Sequence, residues 1–338
     1  MWGYRRIERT LPPFRKRGGV PRSEIAAQRR RVRQVLSGAG FDEAWTTTFL
    51  APEDLERSGW NAEAVEVENP LDASESILRP SMLPGLLRAL RFNVERQKGD
   101  LALFEVGRVF GRPGDGATLP AEQERLGLAV LAPKDAGPTA AVEAAVRSWV
   151  LLVDSLRIDR PSLRATVTPG LHPGRSAMVG ASSAIVGSVG EVAPEVAAAY
   201  GLPERVGWLE LSLDALVTAP RRDLRAREVS RYPAADIDLA FVVPAQLSAG
   251  DLLETLRAAP AILARSDGPR GDASTVDIVE DIALFDVYRS GSLGEGNRGL
   301  TFRVRLRAPD RTLRDDEIAA LRASMIDEAE QLGAALRS

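Results

Sequence analysis

The sequence predicts an α+β fold built from two modules. With 338 residues, the chain is longer than one ordinary hydrophobic core requires. Short segments of alternating polarity, separated by glycine and proline turns, predict mostly antiparallel strands between helices. The last hundred residues add the order β-α-β-β-α-β, in which two helices cover one face of a four-stranded sheet. Two different architectures are therefore expected in sequence.

The larger module is predicted over 21–216, after an extended arm over 1–20. A helix is expected in SEIAAQRRRVRQVLSGAG, because its apolar residues recur at helical spacing. FDEAWTTTFL is expected to continue as a strand. Further along, the pattern predicts a helix in SMLPGLLRALRFNVERQ, paired strands in DLALFEVGRVFGRPGDG and RLGLAVLA, a long helix in TAAVEAAVRSWVLLVDSLRI, and short strands over 164–213.

A polar, aperiodic segment at 217–228 predicts a linker, and the second module follows over 229–338. DIDLAFVV predicts a strand, and SAGDLLETLRAA a helix capped by Ser248. Residues 260–274 are expected to form a loop. VDIVEDIALFDVYR predicts a long strand that turns through GSLGEGN into an arginine-rich strand. Thr312 with Asp315 is expected to cap a final helix, and AALRS to add an edge strand.

Arginine occupies every second position in the segment GLTFRVRLRAPDRTL. Arg303, Arg305 and Arg307 alternate with the apolar residues Phe302, Val304 and Leu306. If helices cover one sheet face, the apolar residues must pack beneath them and the arginines must lie on the open face. Open four-stranded sheets with basic and aromatic groups bind single-stranded RNA, and Tyr288 could supply a stacking ring. The alternative is a solvated face with Arg–Asp pairs, for which Asp310 is available.

The charge of the chain is nearly balanced but unevenly distributed. The net charge is −3, yet residues 1–40 carry eleven Lys or Arg against two Glu, and residues 298–314 carry six Arg against one Asp. Such blocks favour contact with a polyanion, or else form a solvated basic face. The absence of cysteine excludes disulfides and thiolate sites, and one histidine, His172, excludes sites that need two imidazoles. No membrane segment is expected, so we predict a cytoplasmic location.

Two sets of segments together resemble one known family. YPAADIDLAFVV, LFDVYRSGSLGEGNRGLTFRVRLRAPDRTLRDDEI and the closing LR are similar to a ferredoxin-fold anticodon-binding domain. WGYRRIERTLPP, GFDEAWTTTFL, ENPLDASESILRPSMLPGLLRALRFNVERQKGDLALFEVGRVF and LHPGRSAMV resemble a class II aminoacyl-tRNA synthetase core. Both belong, in this order, to the β subunit family of bacterial phenylalanyl-tRNA synthetases, and the likeness covers nearly the whole chain.

The resemblance implies a subunit of a phenylalanine–tRNA ligase that acts as a scaffold. It implies an α2β2 assembly with a catalytic alpha subunit, binding of tRNA(Phe), and ATP and Mg²⁺ used by the holoenzyme but no cofactor or metal in this chain. It also implies that the chain is the C-terminal part of a longer subunit, without editing modules. Two alternatives stay open: a stand-alone RNA-binding or regulatory protein, and a small-molecule sensor, which the arginine-lined face disfavours.

The residues that would clamp ATP in a catalytic class II core are missing from this sequence. The resemblance places motif 2 at FEVGRVFGRPG, where Gly111 stands in place of the arginine in GRVYR, and motif 3 at VGWLELSLDAL, which lacks its glycines and arginine. A degenerate catalytic fold is therefore expected. Glu105, Asp72, Glu75 and His172 are expected to be structural.

The sequence and the resemblance together nominate two sets of residues. The expected tRNA-binding set lies in the second module and contains Arg231, Tyr288, Arg289, Arg298, Arg303, Arg305, Arg307 and Arg311. The expected subunit-interface set lies on the motif 1 helix and the segment after it, and contains Ile25, Arg29, Val32, Val35, Leu36, Trp45 and Phe49.

Overall fold

The computed structural model describes residues 10, 24–60, 63–96, 99–114, 116–133, 135–202, 205–223, 230–259, 262–264 and 275–337. The predicted arm, apart from residue 10, and much of the predicted linker lie outside these ranges. The chain divides into two compact units. One contains the described residues up to Ile158 with Pro169–His172 and Ala184–Pro220, and the other contains Asp159–Thr168, Pro173–Ser183 and the described residues from Arg221 onward. The proposed domain boundaries stay predictions.

A seven-stranded sheet dominates the structure before residue 220. Its strands are β1 Asp42–Glu43, β5 Leu101–Gly111, β6 Ala121–Leu131, β7 Pro161–Ala165, β8 Leu171–Ala181, β9 Ala184–Val192 and β10 Val206–Ser212. They are ordered β1-β5-β6-β10-β9-β8-β7. β1 runs parallel to β5, and the other registered pairs are antiparallel. A small sheet, β2-β4-β3, contains β2 Phe49–Leu50, β3 Val65–Glu66 and β4 Ile77–Leu78.

Helices pack on both faces of the large sheet. They are α1 Glu24–Gly38, α2 Pro52–Arg57, α3 Leu83–Val94, α4 Ala140–Leu156, α5 Pro194–Ala199 and α6 Leu213–Thr218. α3 buries Leu83, Leu86, Leu87 and Leu90 in a core that includes Trp208. α4 lies over Gly207, where a Cβ atom would clash with the carbonyl of Ala141. Because Trp208 and Gly207 are neighbours on one strand, α3 and α4 cover opposite faces.

From Arg221 onward, the main elements of the second unit have the predicted β-α-β-β-α-β order. It contains β11 Ala235–Pro244, α7 Ala249–Ala258, β14 Val279–Tyr288, β15 Asn297–Leu306, α8 Asp315–Gln331 and β16 Ala335–Leu336. The strands form an antiparallel sheet in the order β14-β15-β11-β16. Leu239, Phe241, Phe302, Val304 and Leu306 are buried against helical residues such as Leu252 and Met325. The predicted α+β class and the predicted burial of the apolar alternate positions are confirmed.

Several local predictions differ from the structure. FDEAWTTTFL is not one strand: only β1 and β2 are extended, because the amide and hydroxyl of Thr46 turn inward to the buried Glu105 carboxylate. The strands over 164–213 are longer than predicted, and α5 and α6 were not expected. The N-cap of α8 is Arg314, whose backbone amide donates to Glu317, so the prediction of Thr312 as the cap is wrong.

The predicted loop over 260–274 is partly extended in the structure. Its first end forms β12 Ile262–Ala264, which pairs antiparallel with β13 Thr275–Asp277. The predicted Ser248 cap of α7 is confirmed, because its hydroxyl accepts from the amide of Asp251. No helix in the described part of the chain is both long and apolar enough to cross a membrane.

Candidate functional surfaces

The arginine strand, β15, presents its guanidinium groups on the sheet face opposite the helices. Phe302, Val304 and Leu306 are fully buried. The side chains of Arg303 and Arg305 between them are 53% and 50% exposed. Strand alternation therefore places the arginines where the sequence predicted, on the open face.

Arg303 is held by a carboxylate on the neighbouring strand. Its Nε and Nη2 atoms donate to the two oxygens of Asp238, each at 2.9 Å. These hydrogen bonds hold the pKa of Asp238 below its usual value and raise the pKa of Arg303. This is a bidentate arginine–carboxylate ion pair, which fixes the orientation of the guanidinium plane.

Arg305 and Arg307 are also paired. Arg305 lies 3.8 Å from a carboxylate oxygen of Asp236 and 3.4 Å from one of Glu280. Arg307 Nε donates to the same Glu280 at 3.1 Å. The centre of the open face is thus a network of alternating charges. The alternative of Arg–carboxylate pairs describes it, although Asp310 is not among the partners.

Arg311 connects the loop after β15 to the first turn of α8. Its Nη2 donates to Glu317 at 2.6 Å, and its Nη1 lies 3.2 Å from Asp310. Glu317 also accepts from the Arg314 amide at 3.0 Å. The hydrogen bond from Arg311 is the main cause, and that from the Arg314 amide the second, of a lowered pKa at Glu317. The structure therefore gives Arg311 a role in helix capping.

Glu317→Gln should destabilise the second unit by about 1 kcal/mol at neutral pH, the size expected for a lost helix cap. Because the folded-state pKa of Glu317 is lowered, its contribution is complete above the unfolded value of about 4.3 and disappears as pH falls through the folded pKa. The difference in melting temperature between the two chains should therefore shrink on acidification. The control Glu254→Gln lies on an exposed part of α7, and it should change neither the stability of the second unit nor its dependence on pH. An equal difference at pH 7 and at low pH would contradict this role.

Two aromatic rings lie on the same open face, and both face an arginine. The Arg337 guanidinium lies 5.5 Å from the centre of the Tyr288 ring. The Arg303 guanidinium lies 4.7 Å from the Phe285 ring, beside a bulge between Leu284 and Asp286 that brings Phe285 to this face. The sequence pattern selected Tyr288 but missed Phe285, because period-two alternation does not reveal a bulge. It also missed Arg337, which follows β16.

The other basic residues of the expected tRNA-binding set are less neutralised. Arg231 and Arg289 are exposed, and no described carboxylate lies within ion-pair distance of either. Arg298 is partly buried, and its Nη2 donates to the Leu247 carbonyl at 2.7 Å. These three residues differ from Arg303, Arg305, Arg307 and Arg311, each of which has a carboxylate partner.

The expected subunit-interface set divides into core and surface residues. Val32 and Leu36 are fully buried within the first unit, and Val35 is half-buried. Arg29 forms an ion pair with Glu124 at 2.5 Å. Ile25 and Phe49 are 41% and 40% exposed, while Trp45 is 97% exposed. Within this set, only Ile25, Trp45 and Phe49 present substantial apolar surface to solvent, so these three are the members that could form an apolar contact with a partner.

Trp45 precedes Thr46, whose side chain is hydrogen-bonded to buried groups of the first unit. Thr46 Oγ1 donates to Glu105 at 2.6 Å, and Arg79 Nη1 donates to Thr46 Oγ1 at 2.9 Å. Arg79 and Glu105 form an ion pair at 2.9 Å in which each side chain is 3% exposed. Gly85 of α3 permits this approach, because a Cβ there would lie 2.5 Å from Thr46 Oγ1. The indole therefore points into solvent, while the next residue, Thr46, is fixed by hydrogen bonds to Glu105 and Arg79.

One face of the strands that contain the motif 2 and motif 3 positions, β5 and β10, is filled by the chain itself. Glu105, Gly127 and Glu210 lie side by side on β5, β6 and β10. Met82 packs over Gly127, where an added Cβ atom would lie 2.6 Å from the Cβ atom of Met82. The side chain of Arg79 covers Gly107 in the same way. Glu210 accepts from Ser81 Oγ at 2.8 Å and from the Met82 amide at 3.2 Å. The Glu105 and Glu210 carboxylates on this face thus have their partners within the chain itself.

The remaining candidates lie at a strand pair, at a turn and near the start of a strand. Arg108, at the motif 2 position, forms an exposed pair with Glu122 at 2.6 Å. Asp72 accepts from the Ser74 amide and hydroxyl at a short 3-10 turn that includes Glu75, which lowers the pKa of Asp72. His172 is half-buried near the start of β8. No cluster of three or more potential metal ligands occurs among the residues that the structure describes.

Two family models match the chain in consecutive order. The model described as phenylalanyl tRNA synthetase beta chain CLM domain matches residues 7–213, more than half of the chain. The chain belongs to this family. The model described as ferredoxin-fold anticodon binding domain matches residues 230–337, which include the arginine strand and both open-face aromatic rings. The resemblance noted in the sequence is confirmed.

Curated relatives that match this chain along nearly its whole length are named phenylalanine–tRNA ligase beta subunits. The phenylalanine–tRNA ligase beta subunit of Geobacillus kaustophilus is 34% identical over all of this chain and 41% of its own length. That of Cutibacterium acnes is 33% identical over 99% of this chain and 42% of its own length. The chain thus spans about two fifths of the length of the relatives that it matches. A solved pyrrolysyl-tRNA synthetase structure from Desulfitobacterium hafniense aligns with a TM-score of 0.47 at 16% identity, over 57% of this chain and 65% of its own.

Proposed function

We propose that this chain is a non-catalytic part of the beta subunit of a cytoplasmic phenylalanine–tRNA ligase, which assembles with an alpha subunit and binds tRNA(Phe). The match of both family models, in order and over nearly the whole chain, carries this proposal. In this reading the first unit is a scaffold for the alpha subunit. The second unit binds the anticodon region, and no cofactor binds this chain.

The filled sheet face supports assigning catalysis to the partner. Activation of an amino acid by ATP requires cations against the phosphates, with Mg²⁺ assisting. On this face Arg79 is committed to Glu105, and Arg125 lies 3.6 Å from Glu210. ATP and Mg²⁺ would therefore bind to the alpha subunit, and an alpha2beta2 assembly would bring that site to the tRNA.

Co-expression with a phenylalanyl alpha subunit tests the proposal. The chain should co-purify with the alpha subunit, and labelled tRNA(Phe) should bind to the complex in preference to a non-cognate tRNA. The chain alone should not exchange pyrophosphate into ATP. Failure to capture the alpha subunit, with retained RNA binding, would favour the alternative of a stand-alone RNA-binding protein. ATP-dependent activation by the isolated chain would contradict the scaffold assignment.

Asp238→Asn should increase affinity for tRNA(Phe) by about threefold at low salt, because it releases Arg303 and removes one negative charge. Binding should be measured by fluorescence anisotropy over a range of salt concentrations. Asp327→Asn removes the same charge from an exposed position on α8 and serves as the control. Equal affinities for all three chains would mean that RNA does not approach the centre of the open face.

A further inference from the structure

Two arginines lie close together at one end of the β14–β15 pair. The register of the two strands ends at Tyr288 and Gly299, and Arg289 and Arg298 are the next residues beyond this pair. Arg298 is opposite Val243, which is fully buried on the helix side of the sheet. Like charges held close together on neighbouring strands repel each other, so an anion bound between these arginines would be stabilising.

The described protein does not supply a carboxylate to this pair. Arg298 Nη2 donates to the Leu247 carbonyl at 2.7 Å, while its buried Nε has no hydrogen-bond partner. Burial first, and then the charge of Arg289, lowers the pKa of Arg298. No carboxylate in the described ranges, Glu295 and Asp251 included, forms an ion pair with Arg289 or Arg298. The site thus has positive charge and at least one unused buried donor.

Elsewhere in the same sheet the arginines are neutralised. Arg303 is paired with Asp238, and Arg305 and Arg307 share Glu280. An anion that approaches the centre of the open face must compete with these carboxylates. An anion that approaches Arg289 and Arg298 meets no such competitor among the described residues. Guanidinium groups also match the oxygens of a phosphate in geometry and charge.

We propose that Arg289 and Arg298 form a phosphate-binding site that takes one backbone phosphodiester of the bound RNA. The assignment rests on the proposed function, since it names the contact by which the second unit would hold tRNA. Arg289 follows Tyr288 directly in the chain, so the site lies at the end of the strand that carries the Tyr288 ring. The main phosphate contact thus lies at the end of the sheet and not at its centre, where Arg303, Arg305 and Arg307 are paired.

The test compares Arg289→Ala, Arg298→Lys and the double variant Arg289→Ala/Arg298→Ala with the unchanged chain, in complex with the alpha subunit. Binding of tRNA(Phe) is measured by anisotropy between about 50 and 200 mM salt. Arg289 is exposed, so its loss does not threaten the fold, and Arg298→Lys retains the charge if truncation disturbs the Leu247 contact. Arg322→Ala, which removes an exposed charge from α8, is the matched control.

We expect the double variant to bind about tenfold more weakly, and the log–log salt slope to fall by about 0.7 to 0.9, as for the loss of one phosphate contact. Arg298→Lys should retain most of the affinity, and Arg322→Ala all of it. If tRNA binds the double variant with unchanged affinity and slope, the site is wrong while the proposed function stands. If the unchanged complex does not bind tRNA, the proposed function fails and the site with it. If inorganic phosphate, followed by NMR, binds at this pair while tRNA binding ignores it, the RNA assignment is overturned.

Discussion

Trp45→Ala should prevent stable assembly with the alpha subunit while leaving the chain folded. Trp45 is 97% exposed, although a tryptophan of that size is ordinarily among the more buried residues. Phe49, four residues further along the chain, adds exposed apolar area. Tryptophan anchors at the centre of interfaces contribute about 2 kcal/mol or more each, which corresponds to at least about a 30-fold loss of affinity.

Rigidity makes this effect large. Thr46 is bonded to Glu105 and Arg79, so the indole is presented before the partner arrives and little conformational entropy is lost on binding. The measurement is the dissociation constant of the complex, with thermal unfolding to confirm an unchanged fold. Leu119→Ala, at another highly exposed apolar residue, is the control and should retain full affinity. Equal affinities for the two variants would exclude Trp45 as the anchor.

Much of the second unit was predictable because its sequence pattern has one consistent solution. Alternation in the arginine strand, helical spacing and the Ser248 cap all agree with a β-α-β-β-α-β order. What the pattern could not provide is the identity of cross-strand partners. Asp236, Asp238 and Glu280 are distant in sequence from Arg303 and Arg305, and only the register places them side by side. The sequence therefore left open whether the arginines of the open face are paired, although it placed them on the correct face.

The candidate interface of the first unit was less predictable for a related reason. Helical periodicity identified Val32 and Leu36 as apolar, but periodicity alone does not say whether an apolar stripe faces its own core or a partner. Both are buried within the unit. The exposure of Trp45 follows from a local departure from strand geometry, which depends on Glu105 and Arg79, about sixty and thirty residues away.

Glu105→Gln should destabilise the first unit by about 3 to 5 kcal/mol, because it leaves the Arg79 guanidinium buried without a counter-charge. Glutamine keeps the size of the side chain, so the loss reports charge and hydrogen bonding and not a cavity. The measurement is the free energy of unfolding of the first unit from denaturant titration. Glu122→Gln makes the same change in the exposed Arg108–Glu122 pair, which joins β5 and β6, and should cost less than about 1 kcal/mol.

The two large effects should also be coupled. Glu105 accepts from both the amide and the hydroxyl of Thr46, so Glu105→Gln loosens the base from which Trp45 projects. In a chain that still folds, Glu105→Gln should weaken alpha-subunit binding, and adding Trp45→Ala should then cost less than it does alone. A double-mutant cycle on the dissociation constant measures this difference. Strict additivity would show that the buried ion pair stabilises the sheet without positioning Trp45, and the anchor would then depend on other contacts of the segment.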